Sequence, residues 1–313
     1  MEYKTSMLVG YTGFVGSNID AAHQFTYRIN SKNSDDAIGK KPDLLIYAGL
    51  RAEKYLANHE PEKDRATILD AFERIKGIRP GKVVLISTVD VYKDPKGVDE
   101  DTRIDASDMG AYGANRYELE CLVRNEFADA LIIRLPGLFG KNIRKNFIYD
   151  FINVIPTMLK ADKYNELAKE SDLITKSYTD MGNGFYKCSV LSEDAKRVAL
   201  KEEFGKVGFS ALNFTDSKGV YQFYDLGRLW SDIETALAND IKLLNIATEP
   251  VSISEVYGVL TGGKTFVNET GNAPFYDFRT KHAGVFGGKD GYICDKKEVL
   301  ESIKNFVERV GEA

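Results

Sequence analysis

Cysteine is scarce. The 313 residues include three, Cys121, Cys188 and Cys294, odd in number and far apart. That excludes a disulfide scaffold and points to a reducing, cytoplasmic setting. Histidine is equally rare, and His23, His59 and His282 show no ligand spacing, so no metal is expected. Long apolar runs are missing: stretches 44–50 and 83–86 fall far short of the ~20 residues that span a bilayer. The chain does not start with a basic segment followed by a long apolar stretch, so neither a secretory signal nor a membrane partner is expected. Positive charge is not in excess, since 42 Lys and Arg stand against 47 Asp and Glu, a net −5. Such a chain has no general field for phosphate backbones, and a nucleic-acid partner is not expected.

What is present suffices for a core. Hydrophobic residues make up 43% and charged residues 28%, which excludes a disordered chain. The length is about two domains' worth at roughly 150 residues each. Residues 1–140 alternate between two periods. Strands are predicted over 7–9, 25–30, 43–49, 82–87 and 130–135, with helices over 16–23, 62–76 and 112–127 between them. Strands alternating with helices predict an α/β fold, a parallel sheet covered on both faces. After residue 140 the chain reads as mostly helical and charged to 220, and strand-like pieces return over 220–247. A final amphipathic helix is expected over 296–310. The division is therefore 1–140 and 141–313, with strands of 220–247 partly rejoining the first sheet.

The first chemical signal is Gly10-Tyr11-Thr12-Gly13-Phe14-Val15-Gly16, between a predicted strand and a predicted helix. Such a junction offers backbone N–H groups and the positive end of a helix dipole, which suit a pyrophosphate. Glycine lets the backbone turn sharply and approach the phosphates. A group that binds the adenine ribose belongs about 20 residues on, which lands on Asn30-Ser31-Lys32. An acid there would repel a 2′-phosphate. An amide, a hydroxyl and a cation receive one, favouring NADP with NAD possible. The same three residues also suit an ordinary polar turn.

The second signal is Tyr112-Gly113-Ala114-Asn115-Arg116. Spacing i, i+4 puts Tyr112 and Arg116 on one helical face, which Leu119 and Val123 continue inward. A fixed cation one turn away is expected to lower the phenol's pKa and suit it to exchange a proton with a substrate oxygen. A tyrosine at the core edge beside a solvated arginine fits the same spacing. The third signal is Ser87-Thr88-Val89-Asp90-Val91-Tyr92 at a strand end, where a hydroxyl can donate to a substrate carbonyl.

Taken together and in order, these motifs resemble the extended short-chain dehydrogenase/reductase family of nucleotide-sugar epimerases, dehydratases and reductases. Leu45-Ile46-Tyr47-Ala48-Gly49 resembles its strand beside the cofactor. Arg134-Leu135-Pro136-Gly137-Leu138-Phe139-Gly140 resembles the segment closing over the nicotinamide, and Asn146-Phe147 the opening of its substrate helix. Gln222–Leu226 and Leu244–Ala247 resemble two later signatures. The resemblance implies a Rossmann doubly wound sheet with a smaller C-terminal α/β substrate domain, and a homodimer. It implies catalysis by Thr88, Tyr112 and Arg116. It implies a cofactor site of Gly10, Thr12, Gly13, Phe14, Val15, Gly16, Asn30, Ser31, Lys32, Ala48, Gly49, Leu50, Ser87, Tyr112, Arg116, Pro136 and Leu138. Substrate contacts fall to Asp90 and Asn146, and Arg279 is read as a phosphate ligand or part of a surface turn.

Two departures shape the functional reading. Arg116 stands where the family carries lysine, and Val89-Asp90 replaces the Asp-Glu pair expected of a dehydratase. The expectation is an NADPH-dependent reductase of a keto group on a nucleotide sugar. Its rivals are an epimerase on the same fold, a reductase of a ketone lacking a nucleotide, and a catalytically weak NAD(P)-binding sensor. The segment 160–213 exceeds the family's usual length, and its charges read first as a solvated face, with a lid or dimer contact as the alternative.

Overall fold

The computed structural model describes residues 3–191 and 193–311. Two units are distinguished: Met1–Ile143 with Val220–Val251 and Phe275–Ile303, and Arg144–Gly219 with Ser252–Pro274 and Lys304–Ala313.

In the first unit, the apolar runs form β1 (Ser6–Val9), β2 (Tyr27–Ile29), β3 (Leu44–Tyr47), β4 (Lys82–Thr88) and β5 (Leu131–Leu135). Every residue of β3 and β5 is buried, as strands with both faces covered require. Much later in the chain, β12 (Leu243–Asn245) adds beside β5. The order is β12-β5-β4-β3-β1-β2. All neighbours are parallel, in registers such as Met7↔Tyr27, Ser6↔Leu44, Leu44↔Lys82 and Val84↔Leu131. A short pair lies outside this sheet, β6 (Gly137–Phe139) with β11 (Phe223–Asp225), and β10 (Val220–Tyr221) precedes the latter.

The helices of this unit are α1 (Phe14–Ala22), α2 (Lys54–His59), α3 (Pro61–Ile78), α4 (Ala111–Glu126) and α9 (Leu229–Ala238). On α3, Ile68, Ala71, Ile75 and Ile78 recur at helical spacing. They share one buried cluster with Leu119 and Val123 of α4 and with Met7, Leu45, Leu85 and Ile132 of the sheet. The inward stripe read below Tyr112 is therefore the face by which α4 joins the core. Helices α1 and α9 pack together, with the His23 ring stacked 4.0 Å from Trp230. The closing helix is α11 (Lys296–Gly311).

The second unit carries α5 (Phe147–Asn153), α6 (Ala161–Ala168), α7 (Asp172–Ser177), α8 (Asp194–Lys206) and α10 (Ile253–Leu260). Helices are expected over 141–220, but a sheet is present as well. β7 (Met158–Lys160), β8 (Tyr178–Asp180) and β9 (Phe185–Cys188) form an antiparallel sheet in the order β7-β9-β8. Strands this short cannot display a period: in β7 only Leu159 is buried, between exposed Met158 and Lys160. Leu159 joins Ile155, Leu167, Ile174, Leu200 and Phe204 in a core of its own. Among the charges of this segment, Lys163 pairs with Glu166 at 2.6 Å, and Lys160, Asp162, Lys169 and Glu170 are exposed, which is a solvated face.

Asp150 sits one turn into α5, and burial pushes its carboxyl up to about 7. The folded state then keeps a proton that the unfolded chain releases near its ordinary pKa of about 4. Stability from this group is full below that value and is lost as pH rises through about 7. Asp150→Asn is therefore expected to be more stable than the parent at about pH 8, with a smaller gap at about pH 5. Denaturant titrations showing an equal gap at both pH values would contradict this.

Candidate active site

Parallel strands bring their carboxyl ends to one edge. On that edge stand the glycine loop after β1, Ala48-Gly49-Leu50 after β3, Ser87 and Thr88 ending β4, and Pro136 after β5. The sheet continues to β2 on one side of β1 and to β3 on the other. Open α/β sheets hold ligands in the crevice at such a switch point.

Two glycines of the loop leave no room for a side chain. Gly10 has φ +92°, and a Cβ there would lie 2.4 Å from the Ala48 carbonyl oxygen. A Cβ on Gly16 would lie 2.1 Å from the Gly10 oxygen. Gly13 leads into α1 without a side-chain cap, and the helix has no acid in its first turn. The positive end of α1, running through Phe14, Val15 and Gly16 behind Thr12, is therefore open to an anion. These residues fit a dinucleotide pyrophosphate.

At the end of β2, the Asn30 amide donates to the Tyr11 hydroxyl at 3.1 Å and accepts from the Lys32 N–H at 2.8 Å. Ser31 and Lys32 are exposed. Arg28, two residues before Asn30 and paired with Asp20, lies over the Tyr11 ring at 4.6 Å. This second cation beside Asn30 is not singled out by the sequence motif. Strand alternation from Asn30 is the signal that points to it.

Tyr112 lies in the first turn of α4 and is buried. Its N–H donates to Asn58 Oδ1 of α2 at 3.0 Å. Gly113 is required next to it, because a Cβ there would stand 2.2 Å from the Asp90 carbonyl oxygen. That approach brings Tyr112 to the end of β4, where the Thr88 hydroxyl lies beside its phenol. Thr88 Oγ1 also accepts from the Asp90 N–H at 3.2 Å.

Arg116 does face the phenol, with its guanidinium carbon 4.6 Å from the ring centroid. It is buried, and it is shared. One amino group donates to Asp64 at 2.9 Å and the other to the Arg51 carbonyl at 2.9 Å. The expected lowering of the phenol's pKa does not result. Burial raises it above its ordinary value, outweighing the opposing effects of Arg116, Lys54 and the Thr88 hydroxyl, while Asp90 raises it further. The physical reason is that a phenolate here loses its water, while Arg116 already has Asp64 as a partner.

The other candidate residues are placed as follows. The Ser87 hydroxyl turns inward to Glu120 at 2.6 Å, away from Thr88 on the opposite strand face. Leu138 pairs in β6 with Tyr224 of β11. Asn146 caps α5, its Oδ1 accepting from the Ile148 and Tyr149 N–H groups at 3.0 and 3.2 Å. Asp90 accepts from Lys54 Nζ at 2.9 Å. The reading of Arg279 as a phosphate ligand is not what the coordinates favour. Its guanidinium donates to both Asp277 oxygens at 3.1 and 3.2 Å and to the Asp290 carbonyl at 2.6 Å. It also covers the Tyr292 ring at 4.2 Å, so the surface-turn alternative describes it better.

No family model matches the chain, and no curated protein matches it in sequence. Solved structures do match it in fold. One is RMD from Pseudomonas aeruginosa complexed with NADPH, 16% identical, covering 98% of this chain and 100% of that one at a TM-score of 0.62. A dTDP-4-dehydrorhamnose reductase from Yersinia enterocolitica is 14% identical, covering 97% and 99% at 0.63. The Bordetella bronchiseptica enzyme WbmG, in complex with NAD and UDP, is 14% identical, covering 99% and 96% at 0.63. At these identities the likeness establishes the expected doubly wound α/β fold.

Proposed function

We propose that this chain is an NAD(P)-dependent oxidoreductase of the extended short-chain dehydrogenase/reductase type that reduces a keto group on a nucleotide sugar, with NADPH as the preferred donor. The observation that carries the reading is the seating of Tyr112 beside Thr88 at the carboxyl edge of the sheet, which also bears a loop where Gly10 and Gly16 leave no room for a Cβ. Gly10, Gly13 and Gly16 with the N–H groups of α1 would hold the pyrophosphate, and Ala48–Leu50 and Pro136–Leu138 would flank the nicotinamide end. When bound, the reduced dinucleotide supplies the hydride. Thr88 orients the carbonyl oxygen and Tyr112 gives it a proton. Arg116 fixes the Tyr112 ring from behind. NADPH, NAD and UDP in the fold relatives agree with this reading.

Epimerisation through a transient ketone would use the same Tyr112 and Thr88, so turnover has to separate the two. The test is NADPH consumption across a panel of nucleoside-diphosphate keto-sugars. Turnover without net NADPH loss would shift the reading to epimerisation, and dinucleotide binding with no turnover on any of them would leave a sensor.

The preference for the phosphorylated cofactor rests on Asn30, Ser31 and Lys32, with Arg28 alongside. Asn30→Asp places an acid where the 2′-substituent would lie. NADPH affinity is expected to fall by about tenfold, roughly 1.4 kcal/mol, while NADH affinity rises. Fluorescence titration of both cofactors checks it, and equal effects on the two would contradict the assignment.

A further inference from the structure

Each proton Tyr112 gives up has to be replaced, and its nearest cation cannot supply one. A guanidinium stays charged throughout the working pH range. Arg116 is also buried and held by Asp64 and the Arg51 carbonyl. A second cation reaches the same site from α2. Lys54 and Asn58 are four residues apart, hence on one face of that helix. Asn58 accepts from the Tyr112 N–H at 3.0 Å, which fixes that face against the start of α4. Lys54 Nζ then meets Asp90 Oδ1 at 2.9 Å, two residues past Thr88. The Lys54 side chain remains 54% exposed, so one side of the ammonium faces water while its charge is felt at the phenol.

We propose that Lys54 is the titratable cation of the Tyr112 site, steadying the phenolate by its charge and returning the proton that Tyr112 delivers. The balance is simple: through an intervening water the phenolate regains one proton from the ammonium, whose own hydrogen bond goes to Asp90, and the resulting amine takes one from the solvent. Lys54 acts through Tyr112 and is therefore a positioning residue. Asp90 holds it in place and opposes it, since a carboxylate beside the phenol disfavours the phenolate. Lys54 itself is pulled down by burial but carried above its ordinary value by Asp90, with Tyr276 and Tyr112 adding to the rise. The charged and titratable groups acting on the phenol are thus Arg116, Lys54 and Asp90, with Asp64 behind Arg116 and Tyr276 beside Lys54.

The inference rests on reading Tyr112 as the proton donor, so its test separates the two. A ring-fluorinated tyrosine at position 112 is titrated by fluorine NMR in the protein alone, which needs neither substrate nor cofactor. Lys54→Met is expected to move the phenol's midpoint up by about one pH unit, and Asp90→Asn to move it down. Lys54→Arg should restore the midpoint. In turnover, Lys54→Met and Lys54→Arg should both lose kcat at unchanged KM, because the guanidinium keeps the charge without releasing a proton. An unmoved midpoint in Lys54→Met would overturn the proposal, as would full kcat in Lys54→Arg. A panel on which the parent shows no turnover would instead sink the enzymatic reading, and the NMR midpoints would still judge the electrostatic role of Lys54.

Discussion

Tyr112→Phe is expected to cut NADPH-dependent reduction by about 10²–10⁴-fold, the range supplied by a positioned proton donor. Only the hydroxyl is removed. The ring that packs under the Arg116 guanidinium at 4.6 Å is kept, and so is the N–H bond to Asn58. Fold and dinucleotide affinity should therefore match the parent, which separates chemistry from binding. Thr88 keeps the Asp90 N–H as a donor in this variant, so the strand end has no reason to rearrange. Steady-state rates and cofactor titrations on the same preparations decide the matter. A Phe variant within a few-fold of the parent rate would remove Tyr112 from the reaction.

The largest effect on stability is expected from Glu120→Ala. Glu120 and Arg134 are 0% and 1% exposed and lie beneath the end of β4. Arg134 reaches both carboxylate oxygens, at 2.6 Å through one amino group and 3.0 Å through Nε. Its other amino group donates to the Tyr92 hydroxyl at 2.7 Å, and Ser87 donates to the same carboxylate. The Asn245 amide donates in turn to Tyr92 at 3.0 Å, and the Asn245 N–H donates to Glu100 at 2.7 Å. Removing Glu120 leaves a buried guanidinium without its counter-charge, which costs about 3–5 kcal/mol. The Glu120→Leu/Arg134→Met pair should recover much of that, since both charges then go together. Urea midpoints at unchanged slope give the measurement. A loss under about 1 kcal/mol in the single variant would mean that water or rearrangement relieves Arg134.

What could be read in the sequence depended on distance along the chain. Runs such as 44–47 and 131–135 declare their strands, because a strand buried on both faces is apolar throughout. The glycine loop is legible for a similar reason, since close backbone approach forbids side chains. The i, i+4 spacing correctly put Arg116 over Tyr112, yet nothing local revealed Asp64, some fifty residues earlier, or the burial that reverses the expected pKa. Lys54 escaped notice because α2 has six residues and buries only Ala57, too little for any period. For Arg279 the sequence leaves an anion ligand and a surface turn both open, and the contacts with Asp277, two residues back, speak for the turn. The three-stranded sheet of the second unit was hidden by strands of three and four residues among charges.

The missing methyl at Gly113 has a wider consequence. With the Asp90 oxygen only 2.2 Å from where a Cβ would be, the seat of α4 on the strand end is set by the absence of one carbon. The glycine loop lies on other strands and owes nothing to that seat. Capacity to hold a nucleotide and capacity to transform one are thus mechanically separable in this architecture. A single added atom at position 113 acts as a wedge that would retire the second and spare the first.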